Sequence, residues 1–290
     1  MELSGLHLLL TYQCNFECDH CFVWGSPWQS GTMKLEDIRE ILRQAEALGT
    51  VEWVYFEGGE PFLYYPILSR GVQEAADRGF HVGIVTNSYW ATAVEDALAW
   101  LEPLSGLIED FSVSSDLYHY DEALSRQVED ACVAARRLSI PIGVISVAQP
   151  KEDGSETTLT YRGRAVEKLA SQATLRPWEI FDECPYENLR QPGRVHVDPL
   201  GHIHVCQGIS LGNLFRSPLT EICEVYDPEA HPVTGPLLAG GPAELARRYG
   251  ATPHGRYADA CHLCYETRLA LRQRFPQILA PDQVYGVCED

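Results

Sequence analysis

Cys14-Asn15-Phe16-Glu17-Cys18-Asp19-His20-Cys21 follows directly on the apolar run Leu6–Thr11. A strand that ends on three thiols spaced C-x3-C-x2-C places them on one tight loop. Such a loop offers three ligands to a metal or to an iron–sulfur cluster. Neighbours this close rarely meet disulfide geometry. With no fourth cysteine nearby, one iron of a four-iron cluster stays open to another ligand. Zinc competes for the same loop, since His20 supplies a possible fourth ligand, although its place between two ligands makes simultaneous binding awkward.

Outward from this loop, strand and helix signals alternate over residues 5–180. Leu35, Ile38, Ile41, Leu42, Ala45 and Leu48 follow helical spacing, with Thr32 as the expected cap and Gly49 as the stop. Strands are expected at Val51–Phe56, His81–Thr86, Ile108–Ser114, Pro141–Ala148 and Thr174–Ile180. Helices are expected at Ile67–Arg78, Thr92–Leu101, Glu122–Leu138 and Arg164–Ser171. The pattern predicts an α/β fold, a partial (β/α)6 parallel barrel. Chemistry in such sheets gathers at the C-terminal strand ends, where the cysteine loop falls.

The pattern changes after Ile180. Val195, Val197, Ile203 and Val205 alternate around Pro199-Leu200-Gly201, which predicts a β-hairpin. Asp227–Pro242, rich in Pro and Gly, is expected to be a loop, and helices are expected near Ala243–Tyr249 and Ala258–Phe275. The expected division is a core over residues 1–180 and a small hairpin-plus-helix cluster-binding domain over residues 181–290.

The 290 residues carry 22 Lys and Arg against 41 Asp and Glu, a formal net charge of −19. That charge argues against nucleic acid and anionic membranes as partners. No apolar run approaches the length of a membrane helix, and no export signal is recognisable, so a cytoplasmic location is expected. In that reducing setting the ten cysteines read as ligands rather than disulfides. Cys132 and Cys223 lie on apolar helix stripes and read as small core residues. Cys288 reads as a frayed terminal thiol. His196, His202 and His204 read as the wet face of the hairpin, and His7 as a similar strand residue.

The cysteine loop resembles the signature of the radical S-adenosylmethionine (SAM) superfamily, and further motifs follow in the family's order. Glu57-Gly58-Gly59-Glu60-Pro61 ends the second expected strand and resembles the family's GGEP. Thr86-Asn87 ends the third, Ser114-Ser115-Asp116 ends the fourth, and Tyr161-Arg162-Gly163-Arg164-Ala165 is similar to the family's G-R-A. The resemblance implies that Cys14, Cys18 and Cys21 hold a 4Fe-4S cluster whose open iron chelates SAM. It implies SAM contacts from His20 beside the adenine, from Gly58, Gly59 and Glu60 to the amino group, and from Asn87 and Ser114. Cys184, Cys206, Cys261 and Cys264 resemble a twitch domain, a short form of the SPASM domain, as in the 2-deoxy-scyllo-inosamine dehydrogenase family. That layout implies one auxiliary 4Fe-4S cluster, with a four-cysteine zinc site as the alternative.

The implied activity is reductive SAM cleavage to a 5′-deoxyadenosyl radical, driven by an external low-potential electron donor such as a flavodoxin or ferredoxin. The radical then removes a substrate hydrogen. A two-electron oxidation of a small, carbohydrate-like molecule is the first expectation, modification or cross-linking of a ribosomal peptide the second, and a non-catalytic cluster or zinc scaffold the third. The early start of the first strand leaves no expected room for an N-terminal leader-binding domain. Glu179, Asp182, His119 and Arg194 are candidate bases or charge stabilisers near the cleft.

Overall fold

In a computed structural model the described residues are 1–121, 125–149, 158–251 and 255–287. The chain opens with alternating strands and helices: β1 Gly5–Thr11, α1 Leu35–Leu48, β2 Trp53–Gly58, α2 Tyr65–Asp77, β3 His81–Thr86, α3 Val94–Leu101, β4 Asp110–Ser114, α4 Arg126–Arg137 and β5 Ile142–Ile145. Then come α5 Arg164–Lys168, β6 Arg176–Pro177, β7 Arg194–Val197, β8 His202–Cys206, β9 Ile209–Asn213, α6 Leu219–Val225, α7 Thr234–Tyr249, β10 Arg256–Tyr257 and α8 Ala260–Leu271. One eight-stranded sheet runs β5-β4-β3-β2-β1-β7-β8-β9. Every pair from β5 through β1 to β7 is parallel, and β8 and β9 return antiparallel. The protein is thus a mixed α/β chain built on a partial parallel barrel.

The period of two along the strands separates two faces. Leu6, Leu8 and Leu10 of β1, Val54 and Phe56 of β2, Val82 and Ile84 of β3, and Phe111 and Val113 of β4 are fully buried. They pack with Ile38, Ile41 and Leu42 of α1, Leu68 and Val72 of α2, and Val128 of α4 in one core. Each such side chain contributes about 1.5–3 kcal/mol on burial. Cys132 and Cys223 join this core as expected. The opposite face carries His7, Tyr55, Glu57, Asp110 and Ser112, which line a concave surface together. A polar inner face is suited to a ligand rather than to side-chain filling.

Four local expectations are corrected. The sixth strand expected at Thr174–Ile180 does not join the large sheet: among the described residues Arg176–Pro177 pairs only with β10, and Trp178–Ile180 forms a 3-10 turn. Pro177 has no N–H to give a ladder, and the sixth parallel strand is β7, at the other side of β1. Thr32 does not cap α1. Lys34 holds the cap position, its N–H donating to Asp37 Oδ2 at 2.8 Å, while Thr32 meets Thr11 at Oγ1–Oγ1 3.0 Å and closes the cysteine loop onto β1. The loop expected over Asp227–Pro242 is helical from Thr234. Gly240 and Gly241 interrupt that helix with non-helical backbone instead of abolishing it. Two of the three hairpin histidines leave the expected wet face: His204 is fully buried, its Nε2 3.1 Å from Asp198 Oδ2, and His196 points into the barrel beside Glu57, while His202 stays partly exposed. Cys288 lies outside the described residues.

Candidate active site

The cysteine loop is fastened at several points before any ligand is considered. Cys14 N donates to Ser26 O at 3.0 Å, and Cys21 N to Cys18 O at 3.1 Å. Arg164, only 2% exposed, donates from its two terminal nitrogens to Cys18 O and to Gly25 O, both at 2.8 Å. Its own N–H reaches Cys21 O at 3.0 Å. Gly163 precedes it at φ +59°, with its α-carbon so close that a Cβ would lie 2.6 Å from Cys21 O. Only glycine fits there without strain. The G-R-A motif is therefore a clamp on the loop, a role invisible in its spacing.

Cys14, Cys18 and Cys21 line one cavity of about 450 Å³ with His20, Gly58, Gly59, Asn87, Ser114, Asp116 and His119. Small-molecule sites run about 300–1,000 Å³. Burial pushes the Cys14 thiol up to about 12, against the Phe16 N–H that donates to its sulfur at 3.4 Å, and burial raises Cys18 as well. Gly25 N–H donates to Cys21 Sγ at 3.2 Å. Two of the three sulfurs, those of Cys14 and Cys21, thus accept from backbone N–H groups, and Cys14 and Cys18 are buried, an environment that suits a cluster and tunes its potential.

The glycines of the second motif serve the loop directly. Gly59 N–H donates to Thr11 O at 2.6 Å, and Glu60 N–H to Gln13 O at 2.9 Å. A Cβ on Gly59 would stand 2.0 Å from Gln13 O, and one on Gly58 2.6 Å from Thr11 O. The Glu60 carboxylate is fully buried and turned away from the cavity. It accepts from Phe62 N–H at 3.0 Å, Thr86 Oγ1 at 2.8 Å and Asn87 N–H at 2.8 Å. Burial raises its pKa, the three donors lower it, and the balance is about 7. Asn87 Nδ2 donates to Asn15 Oδ1 at 2.9 Å, tying the third strand end to the cysteine loop.

His20 stacks on Tyr118 with ring centroids 4.5 Å apart. Burial, then the neighbouring His119, lowers its pKa to about 4, so it is a neutral ring at pH 7. Asp116 accepts from His119 Nδ1 at 2.8 Å. Burial would raise this carboxyl, but His119, His20 and the Tyr118 N–H outweigh it and hold it below its usual value. Of the candidate bases, His119 lines this cavity and Arg194 a second one, while Glu179 and Asp182 line neither.

Cys184, Cys206, Cys261 and Cys264 come together around one small pocket with Arg162 and Arg268. Burial raises the Cys261 and Cys264 thiols, and the nearby thiols add to it. Arg268 is fully buried and donates to Gln207 O at 2.6 Å. Arg268 lies buried beside these thiols, and Arg162, partly exposed, pairs with Glu187 Oε1 at 3.3 Å. Arg162 also lines the cysteine-loop cavity and sits 5.0 Å over the Phe22 ring, between the two cysteine sets. Sequence reading noted it only as part of a motif. The signal that could have found it was a second arginine beside the G-R-A, in a chain with few basic residues.

A strand-end cavity with three loop cysteines and a glycine pair, on a partial parallel barrel, is the arrangement that the resemblance to radical SAM enzymes implies. The family model of the Radical SAM superfamily matches residues 8–159, more than half the chain, and this protein belongs to that superfamily. SAM and one 4Fe-4S cluster are the cofactors membership implies. YydG of Bacillus subtilis (strain 168), provisionally named a peptide biosynthesis protein, is 25% identical over 129 residues, 44% of this chain and 40% of YydG. An S-adenosylmethionine-dependent nucleotide dehydratase of Fibrobacter sp. (strain UWH6) is 20% identical over 192 residues, 61% of this chain and 55% of the dehydratase. The chain thus spans about half the length of these curated relatives. The structure of anSMEcpe with bound AdoMet and Cp18Cys peptide shares the fold: TM-score 0.52 at 14% identity, covering 95% of this chain and 97% of that one. Among the described residues no helix is long and apolar enough to cross a membrane.

Proposed function

We propose that Cys14, Cys18 and Cys21 hold the 4Fe-4S cluster and that the cavity they share with His20, Gly58, Gly59, Asn87 and Ser114 receives SAM. That shared cavity is the observation that carries the reading. When bound, these groups supply one-electron reductive cleavage of SAM to methionine and a 5′-deoxyadenosyl radical, which takes a hydrogen atom from the substrate. The chain's own residues supply the rest. Arg164 and the two glycines fix the loop, and His20 offers a neutral flat face. Glu60 contributes its backbone to the site and holds Thr86 and Asn87 in place with its side chain. The electron comes from an outside low-potential donor, a flavodoxin or ferredoxin.

The four cysteines beside Arg162 and Arg268 would hold an auxiliary 4Fe-4S cluster. With all four irons bound by thiolate, electron transfer is its available chemistry. A substrate that loses a hydrogen atom, then an electron and a proton, undergoes a two-electron oxidation. The polar inner face, with His7, Tyr55, Glu57, Asp110 and Arg194 around a cavity of about 540 Å³, supports a small polar substrate. A peptide side chain is the second reading, favoured by the match to YydG. The test is anaerobic: the reconstituted protein with SAM and reductant should release 5′-deoxyadenosine, and the Cys14/Cys18/Cys21→Ala triple variant none. Equal release by that variant would end the proposal.

A further inference from the structure

His7 of β1, Glu57 of β2 and His196 of β7 stand on three adjacent parallel strands, in the order β2-β1-β7. His7 and His196 are direct register partners, and Glu57 is one inward-facing position nearer the C-terminal strand ends. All three face the barrel interior. We propose that these three side chains form a divalent transition-metal site, separate from both cysteine sets, that holds a substrate oxygen or nitrogen inside the barrel.

Three observations converge on a metal. First, the ligand atoms are close and convergent: Glu57 Oε2 is 3.3 Å from His7 Nδ1, Glu57 Oε1 is 3.0 Å from His196 Nε2, and the donor atoms all lie within 4.8 Å of one another. Ligand bonds of about 2.0–2.2 Å at tetrahedral or octahedral angles separate neighbouring ligand atoms by about 2.9–3.5 Å. Second, these contacts are short without being good hydrogen bonds. Among the described residues, buried His7 Nδ1 and buried Glu57 Oε1 have no hydrogen-bond partner of good geometry. A buried polar atom left so is costly, and a shared metal would satisfy both at once. Third, the rings are held in place. His7 stacks on Tyr55 at 4.5 Å with planes 10° apart, and Tyr55 OH donates to Asp110 Oδ2 at 2.9 Å.

Two histidines and one carboxylate suit Zn²⁺, Fe²⁺ or Mn²⁺ and leave coordination positions open. Those positions face the cavity of about 540 Å³, and Glu57 lines both this cavity and that of the cysteine loop. A substrate oxygen or nitrogen bound there would lie beside the proposed SAM site.

The test uses the cluster-loaded protein under anaerobic conditions, so that cysteines are occupied and cannot bind the probe. Mn²⁺ is titrated and followed by the loss of its free-ion electron paramagnetic resonance signal. About one Mn²⁺ per chain is expected, displaced by Zn²⁺, which binds such ligands more tightly. His7→Gln and His196→Gln should each weaken Mn²⁺ binding at least about tenfold, with iron content and circular dichroism unchanged as the check on folding. Absence of stoichiometric Mn²⁺ and Zn²⁺ binding by the wild-type protein overturns the proposal, whatever the variants do. So does equal affinity in both well-folded variants, which would place the metal elsewhere.

Discussion

Gly59→Ala separates two accounts of the Gly-Gly-Glu-Pro motif. If the glycine serves only to let backbone approach SAM, the variant should lose SAM affinity and keep its cluster. The structure makes the loop the first casualty. The new Cβ would lie 2.0 Å from Gln13 O, 2.5 Å from Gln13 C and 2.9 Å from Tyr12 O, all backbone atoms that cannot swing aside. Reaching ordinary contact requires a shift of more than about 1 Å between the end of β2 and the residue before Cys14. That shift breaks or stretches Gly59 N–H to Thr11 O and Glu60 N–H to Gln13 O. Two buried hydrogen bonds at about 1 kcal/mol each, plus overpacking of about 1–3 kcal/mol, give a loss of about 3–5 kcal/mol. For a chain of this size that is a melting-point drop of roughly 5–8 °C. The assay is iron and sulfide per chain after reconstitution, with anaerobic thermal unfolding, against Gly106→Ala as control. Gly106 has φ +77° and nothing within 4 Å of a Cβ, so it should cost only its backbone strain, about 1 kcal/mol. A Gly59→Ala protein with full iron at the first site, normal melting and weakened SAM binding alone would refute the packing argument.

Three other outcomes are expected. Arg164→Leu removes a buried guanidinium and leaves Cys18 O and Gly25 O without their donors. It should cost about 2–5 kcal/mol and speed loss of the first cluster to chelator, whereas normal cluster retention would deny the clamp. Burial lowers the His231 pKa to about 4 while its Nδ1 accepts from Val233 and Thr234 N–H at 3.2 and 3.1 Å. A depressed histidine stabilises above its unfolded value and loses that as pH falls from about 6.5 to 4, up to about 3 kcal/mol. His231→Asn should flatten melting temperature over that window, and an unchanged profile would count against it. A folded Cys261→Ala/Cys264→Ala variant should lose about four of the eight irons expected at two 4Fe-4S sites, yet still release 5′-deoxyadenosine. It should transfer deuterium from labelled substrate while making no oxidised product. Product at the normal rate would reduce the second site to a structural staple.

What the sequence alone determined is what short range fixes. The spacing of Cys14, Cys18 and Cys21, the apolar run that makes the first strand and the helical stripe from Leu35 to Leu48 all express local backbone geometry. They were legible without knowing the neighbours. So was the Gly49 stop, which adopts the left-handed backbone that glycine favours. Strand partners across long separations were not. Thr174–Ile180 has strand character, yet it loses its place in the barrel to Arg194–Val197, because pairing with β1 is decided by the whole sheet. The same long-range choice sets His7, Glu57 and His196 beside one another and buries His204 against Asp198, where alternation alone suggested a wet face. It also turns Arg164 into a clamp and Gly59 into a contact point for Gln13. Periodicity reports which face a residue takes on its own element. Which other element covers that face is a property of packing, and packing here decided which polar groups meet.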